Sequence, residues 1–227
     1  MPRTHTLYID FQTLDARGDS AAIIVKLMMA CNDLQLSNEA LFEWKREQPT
    51  PRKPRQNGAL MYFFRLQLGH LFEGLKVIDE IRKDPVLLSL VRQTDAQTQQ
   101  SFANLEQFLP GGTRRGDIEK LMGRVRSNLT FHYEKSGKLI AKAISDRAAR
   151  PEARLSSLTR GSTAYLWHFK PADDVVDSVV VRQIWGIPRS VDVGTEADKI
   201  ADEFLHKEVF LRFIDFSGEF IWKYCGG

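Results

Sequence analysis

Apolar residues recur at three- and four-residue intervals over long stretches of this chain, and no other feature constrains its fold as strongly. The clearest stretch is 59–83, which Pro85 follows closely, and its stripe consists of Leu60, Phe64, Leu71, Leu75 and Ile78. A stripe of this kind is typical of a helix that buries one face. Because further segments repeat the pattern, we predict an all-α fold, an up-and-down bundle of about five to six helices.

The rest of the chain divides around this pattern into a single predicted domain that spans 1–227. We expect residues 1–16 to be an extended or irregular lead-in and 151–171 to be an irregular segment before the last long helix. Three prolines exclude regular helix from 47–56, which is predicted to be a basic loop. The further predicted helices are 86–109, 118–150, 196–224 and 19–45, the last of which is either one long helix or two helices that bend near Ser37.

The β-branched run from 172 to 185 is compatible with either a helix or a strand. Asp173 and Asp174 stand near its start, where negative charge suits the positive end of a helix dipole. We therefore favour a helix here, although the residues alone leave a strand open.

The last predicted helix is apolar on two sides, which suits a central helix or one shared with a partner chain. We predict a homodimer, because so large an apolar face is a liability in a monomer. One stripe consists of Ile200, Phe204, Leu211, Ile214 and Ile221, and the other of Leu205, Val209, Phe213, Phe216 and Phe220.

Composition excludes several classes of protein. The net charge of +3 is too small to indicate a polyanionic partner by itself. With two cysteines and no Cys/His cluster at ligand spacing, we expect no disulfide framework and no metal site, and a cytoplasmic location. No apolar run is long enough to span a bilayer, so we expect no membrane partner, and we see no signal-peptide pattern at the N-terminus. No nucleotide or hydrolase motif occurs, so we expect no cofactor.

One stretch of the predicted helix 118–150 combines polar residues with the apolar stripe. At about 100° per residue, His132 falls within that stripe, between Leu129 and Ser136. Asn128 precedes His132 by one turn, and Arg126 lies on the flank that it shares with Tyr133.

Two interpretations of this stretch are open. His132 is either a core histidine that is hydrogen-bonded to a neighbouring helix, or a general acid or base in a site. In a site, Arg126 would hold a phosphate and stabilise the charge that develops on it, and Asn128 would orient the imidazole. Such a trio suits RNA cleavage that needs no metal.

The stretch from Arg126 to His132, RSNLTFH, resembles the R-x(4–6)-H signature of the HEPN superfamily of helical bundles. Its continuation FHYEKSGKL resembles the branch that is associated with abortive phage infection. The resemblance implies a helical bundle, frequent dimerisation, and in active members a metal-independent endoribonuclease. It also implies Arg126 and His132 as catalytic residues, with Asn128 as the supporting polar residue, although here Asn128 stands two positions after the arginine.

The resemblance places the protein in a bacterial antiviral defence or toxin setting, where RNA, an antitoxin or another partner protein is expected. Many members of the superfamily are inactive binding or scaffold domains. The alternative function is therefore a non-catalytic interaction or dimerisation domain, in which Arg126 and His132 form a buried polar contact.

A second R-x(4–6)-H pattern runs from Arg65 to His70. Arg65 lies nearly opposite the apolar stripe of its helix, so we interpret it as a solvated charge and His70 as a structural flank residue. Gln67 and Gly74 lie on the stripe, where they could face the helix that bears His132.

Two basic loops could grip a phosphate backbone, although such loops are often only solvated. The proposed RNA-binding residues are Arg52, Lys53, Arg55, Arg114, Arg115 and Tyr133. The segment YLWHFK, around His168, offers rings that could stack on bases, although we expect Tyr165, Trp167 and Phe169 to pack in the interior instead.

Overall fold

The computed structural model describes residues 5–49, 52–130, 136–160, 162, 167–188, 190, 196–197 and 199–226. The described chain is mostly helical, which confirms the predicted all-α class. The first half contains α1 (Phe11–Asp15), α2 (Asp19–Lys45), a 3₁₀ turn (Lys53–Arg55), α3 (Gln56–Lys83), α4 (Pro85–Val91) and α5 (Ala96–Glu106).

The second half alternates α-helix with π-helical stretches, in which hydrogen bonds join each residue to the fifth one along. Helix α6 (Arg115–Ile118) is followed by π-helical Glu119–Gly123 and Arg126–Thr130, and α7 is Lys138–Ala148. After a 3₁₀ turn (Pro151–Ala153) come β1 (Leu158–Thr159), β2 (His168–Phe169), α8 (Lys170–Ser178) with π-helical Val179–Ile184, π-helical Lys199–Phe210 and α9 (Leu211–Tyr224).

Two predicted helices are interrupted. The segment 86–109 forms α4 and α5, because the Asp95 carboxylate accepts hydrogen bonds from the backbone N–H groups of Gln97 and Thr98 and starts a new helix. The segment 118–150 is not one helix either, since Gly137 has a left-handed φ of 67° immediately before α7. Such a conformation suits glycine and ends the regular helix geometry.

Two segments that were predicted to be irregular contain regular structure. In the lead-in 1–16, the Asp10 carboxylate caps the single-turn helix α1. In 151–171, β1 and β2 pair antiparallel, with Leu158 opposite Phe169 and Thr159 opposite His168. The ambiguous run 172–185 is helical, within α8 and its π-helical continuation.

The residues group into two compact units. The first unit consists of Met1–Asp33, Glu73–Gly116 and Ala201–Gly227. Its core is rich in phenylalanine from α9, and the rings of Phe102 and Phe216 lie 5.0 Å apart. Gly74 belongs to this core: a Cβ placed there would lie 2.8 Å from the Phe213 ring, so α9 is the helix that Gly74 admits.

The second unit consists of Leu34–Phe72 and Asp117–Ile200. In its core the rings of Phe64 and Trp185 meet edge to face at 5.6 Å, and the Trp185 indole N–H donates to the Leu121 carbonyl at 3.2 Å. The buried Gln67 amide donates to the Asn38 side chain at 3.0 Å. The described partner of Gln67 is therefore on α2.

The two apolar stripes of the last helical stretch differ in burial. Leu205, Val209, Phe213, Phe216 and Phe220 are all buried. On the other stripe, Phe204, Ile214 and Ile221 are half-buried, and Leu211 keeps 40% of its surface exposed. No helix of the described residues has the length and apolar character needed to cross a membrane.

Two glycines within helices provide a matched test of this packing. We expect Gly218→Ala to raise the free energy of unfolding by about 0.5–1 kcal/mol, because α9 gains helix propensity and nothing lies within 4 Å of the new methyl group. Gly74→Ala gains the same propensity but forces a methyl against the fully buried Phe213 ring, so it should lower stability by about 1–3 kcal/mol.

Urea unfolding of the two variants measures both effects. If Gly74→Ala were stabilising to the same degree as Gly218→Ala, the close packing of α3 against α9 would be contradicted.

Candidate functional site

The candidate site begins on residues 117–130, which we call the motif helix. One face of this helix is buried, as the apolar stripe in the sequence predicted. The buried residues are Ile118, Met122, Val125 and Leu129. Arg126 directly follows the buried Val125 and is half-buried, within the π-helical stretch Arg126–Thr130. π-helical turns occur often at functional sites. They also change the rotation per residue, so angles calculated for an α-helix do not apply here.

Asn128 is engaged with its own helix. Its side-chain nitrogen donates to the Arg124 carbonyl at 2.6 Å, and the residue is half-buried. In this arrangement the Asn128 side chain stabilises the turn of the helix that carries Arg126. His132 and Tyr133 lie outside the described residues, so their predicted roles stay predictions.

Arg65 is not the solvated charge that the sequence predicted. Its guanidinium group donates to the Leu129 carbonyl and, at 3.3 Å, to the Met61 carbonyl. The Thr130 hydroxyl donates in return to the Arg65 carbonyl at 3.2 Å. Arg65 therefore ties α3 to the last described residues of the motif helix. The R-x(4–6)-H pattern from Arg65 to His70 had drawn attention to Arg65. The angular position of Arg65 on α3, however, could not reveal its contact with Leu129.

The basic loop of the first unit is held by its own contacts. Arg114 forms an ion pair with Glu208, and its guanidinium carbon lies 4.7 Å from the Phe204 ring centroid and 5.1 Å from that of Phe108. Arg115 donates to the Phe108 carbonyl at 3.3 Å. Both arginines thus contribute to local structure, whatever else they bind.

The basic loop of the second unit reaches the segment around His168. The Arg55 guanidinium donates to the Trp167 carbonyl. Arg52 is exposed, with its guanidinium carbon 6.0 Å from the Trp44 ring centroid, and Lys53 is exposed, with its ammonium 4.0 Å from the Glu47 carboxylate.

The interior packing expected for the rings near His168 is wrong for the two that the structure describes. Trp167 is 40% exposed and Phe169 is 54% exposed, and their ring centroids lie 6.3 Å apart. The exposed Arg160 places its guanidinium carbon 5.5 Å from the Trp167 ring centroid. We call Arg160, Trp167 and Phe169 the aromatic platform. Tyr165 lies outside the described residues.

His168 is oriented differently from its two aromatic neighbours. Successive side chains of a strand face opposite sides, so on β2 His168 points away from Phe169. The His168 Nε2 atom lies 2.8 Å from the Asp173 carboxylate of α8. A Cβ at Gly58 would clash with that carboxylate, so the absence of a side chain at Gly58 admits Asp173 to the first turn of α3. Negative charge is favourable there.

Asp174 secures the other side of α8. Its carboxylate accepts hydrogen bonds from the Ser156 hydroxyl and the Lys170 ammonium, each at 2.6 Å, and pairs with Arg147 at 3.2 Å. Burial alone would raise the pKa of Asp174, but the hydrogen bonds from Lys170 and Ser156 and the charge of Arg147 outweigh it, so the pKa lies below 3.8. Sequence patterns placed Asp174 at a helix start without indicating these partners.

Within the described part of the chain, no cluster of three or more His, Cys, Asp or Glu side chains is placed to hold a metal ion. No protein-family model matches the chain, and no curated protein or solved structure matches it either. The functional argument therefore depends on the sequence motif and the contacts described above.

The lowered pKa of Asp174 gives a pH-dependent prediction. A carboxylate whose pKa is depressed in the folded protein stabilises the fold at any pH above its pKa in the unfolded chain. This contribution is lost as the pH falls through its pKa in the folded protein. Asp174→Asn should therefore lower the free energy of unfolding by about 1–3 kcal/mol at neutral pH. The difference from the parent protein should shrink as the pH falls below 3.8.

Urea unfolding between neutral pH and pH 3 measures this difference. Asp202→Asn is the control, because the Asp202 pair with Lys207 is exposed and should contribute little at any pH. A difference for Asp174→Asn that grew on acidification would contradict the network.

Proposed function

We propose that the protein is a HEPN-like, metal-independent endoribonuclease of a bacterial defence or toxin system, acting in the cytoplasm as a homodimer of up-and-down helical bundles. The observation that carries the proposal is the position of Arg126. It is half-buried on a π-helical turn beside a buried stripe, in the segment that leads directly to His132. A partly desolvated guanidinium is well suited to hold a phosphate bidentately.

The proposed reaction is attack by a ribose 2′-hydroxyl on the adjacent phosphorus. The new 2′-oxygen–phosphorus bond forms as the bond to the 5′-oxygen breaks, which leaves a 2′,3′-cyclic phosphate. The 2′-hydroxyl loses a proton and the departing 5′-oxygen gains one, so that no net proton is consumed. His132 carries out one of these two transfers, and solvent water the other. Arg126 stabilises the charge that develops on the phosphate oxygens.

Arg65 and Asn128 act as positioning residues in this proposal. Arg65 binds the Leu129 carbonyl, three residues before His132 in sequence. Asn128 secures the turn that carries Arg126 through its hydrogen bond to the Arg124 carbonyl. Both contacts restrain the backbone on the N-terminal side of His132.

Cleavage of total RNA by the purified protein tests the proposal. His132→Ala and Arg126→Ala should each reduce cleavage by at least about a hundredfold while leaving the helical circular dichroism spectrum intact. EDTA should have no effect, and the products should end in a 2′,3′-cyclic phosphate or a 3′-phosphate. His70→Ala is the matched control and should keep most of the activity.

A non-catalytic interaction domain is the second candidate function. It is favoured by the reciprocal hydrogen bonds between Arg65 and the Leu129–Thr130 turn, since such a polar contact between helices can be purely structural. Absence of chelator-resistant cleavage in the parent protein, together with a sharp fall in melting temperature for His132→Ala, would favour this candidate over the nuclease.

The half-exposed stripe of the last helical stretch supports the proposed homodimer. Leu211 is 40% exposed on this stripe, whereas the residues of the opposite stripe are all buried in the core.

Leu211→Lys should therefore convert a dimer into a monomer in light scattering at micromolar concentration, because it places a charge in an apolar contact. Leu36→Lys, at a 65% exposed leucine of α2, is the control and should leave the dimer intact. A parent protein that is monomeric at high micromolar concentration would contradict the proposal.

A further inference from the structure

We infer that the aromatic platform, Arg160, Trp167 and Phe169, binds single-stranded RNA, with the basic turn Lys53–Arg55 beside it. The inference rests on the proposed function for the choice of RNA as the occupant. The argument for a bound single strand comes from the platform itself.

The first argument is the exposure of large rings on a short sheet. Trp167 and Phe169 leave 40% and 54% of their surfaces exposed, and Leu158, which precedes Thr159 on β1, is 72% exposed. Aromatic side chains are costly to leave in water, and a cluster of exposed apolar groups commonly marks an interaction surface. Rings whose faces reach solvent are the groups on which unpaired bases stack.

The second argument is the guanidinium group of Arg160, which lies over the Trp167 ring. Its central carbon is 5.5 Å from the ring centroid, so the guanidinium covers one face of the ring with a cationic plane. Bases stack on arginine planes as well as on rings, and the guanidinium N–H groups can bind a phosphate. One arginine can thus contact a base and the backbone of the same strand.

The third argument is the balance of charge. Asp173 is bound to His168, and Asp174 is bound to Ser156, Lys170 and Arg147, so both acids beside the platform are engaged by local partners. Arg55 is fixed to the Trp167 carbonyl, which brings the cations of the turn Lys53–Arg55 next to the platform. Glu47 is the acid near this turn, 4.0 Å from Lys53. The surface therefore favours a polyanion over an acidic or neutral peptide.

The platform is tied to two other elements. The contact of His168 with Asp173 ties β2 to α8, and the hydrogen bond from Arg55 to the Trp167 carbonyl ties the residue before β2 to the 3₁₀ turn. His168 lies between Trp167 and Phe169 in sequence and faces Asp173, whereas the two aromatic rings lie together, with their centroids 6.3 Å apart.

Fluorescence anisotropy with a labelled single-stranded RNA of about twelve nucleotides tests the inference. The riboses carry 2′-O-methyl groups, so that the probe cannot be cleaved by attack of its own hydroxyl and binding is measured alone. Trp167→Ala should weaken binding by about tenfold, the loss expected for one stacked base. Trp167→Phe should retain most of the affinity, since a ring remains.

Two control variants separate the platform from general surface effects. Trp222 is 39% exposed on α9, which matches Trp167 in exposure, and Trp222→Ala should bind RNA as the parent does. Arg160→Ala should reduce the salt dependence of log K by about 0.7, the slope for one phosphate contact with a single strand. Arg92→Ala, at an exposed arginine after α4, should leave the slope unchanged.

The form of the nucleic acid is a further check. The same RNA annealed to its complement should bind more weakly, because paired bases cannot reach the rings. Single-stranded DNA should bind with similar affinity, since neither stacking nor charge requires the 2′-hydroxyl. Equal binding of the duplex, or unchanged binding by Trp167→Ala, would overturn the inference. So would a parent protein that does not bind RNA but self-associates through Trp167 in light scattering.

The binding assay also separates this inference from the proposed function. His132→Ala should bind the probe as tightly as the parent. Binding that depends on Trp167, in a protein that never cleaves RNA, would refute the nuclease and leave the platform. Cleavage that depends on His132, with binding indifferent to Trp167, would refute the platform and leave the nuclease.

Discussion

Burial of one face of the motif helix is the constraint on which the proposed active site depends. Ile118, Met122, Val125 and Leu129 are removed from water together, which fixes the rotation of the helix against the core of the second unit. Arg126 follows the buried Val125 directly, so its depth is set by this packing. The same burial presents the Leu129 carbonyl to Arg65, whose hydrogen bond secures the final described turn. Apolar packing and polar contacts thus position the same few residues.

Much of the fold could be predicted from the sequence, because helix periodicity is a local signal. The all-α class, the extent of α2 and α3, and the buried stripe from Ile118 to Leu129 all follow from spacing. The breaks at Asp95 and Gly137 were missed, since a cap or a left-handed glycine can interrupt a segment whose apolar spacing continues. The spacing of apolar residues alone does not show whether a helix continues through a capping residue or a glycine or ends there.

The candidate site was less predictable, since its contacts join residues that are distant in sequence. Arg65 seemed solvated when judged on α3 alone, yet its partner Leu129 is 64 positions away. Aromatic composition suggested interior packing for Trp167 and Phe169, but both rings are exposed, and it is His168 between them that contacts another element through Asp173. Periodicity assigns a residue to a face of its own helix or strand, and only the fold decides what that face meets.

The two proposed surfaces have different physical tasks. A single arginine neutralises one phosphate, which gives little affinity at physiological salt and leaves Arg126 best suited to stabilising charge during the reaction. Stacking of bases on the aromatic platform does not change during the chemical step. It therefore stabilises substrate and transition state equally and affects KM more than kcat. A nuclease that acts on single-stranded RNA needs both contributions. The second unit contains Arg126 and the platform, and so carries both groups in one compact body.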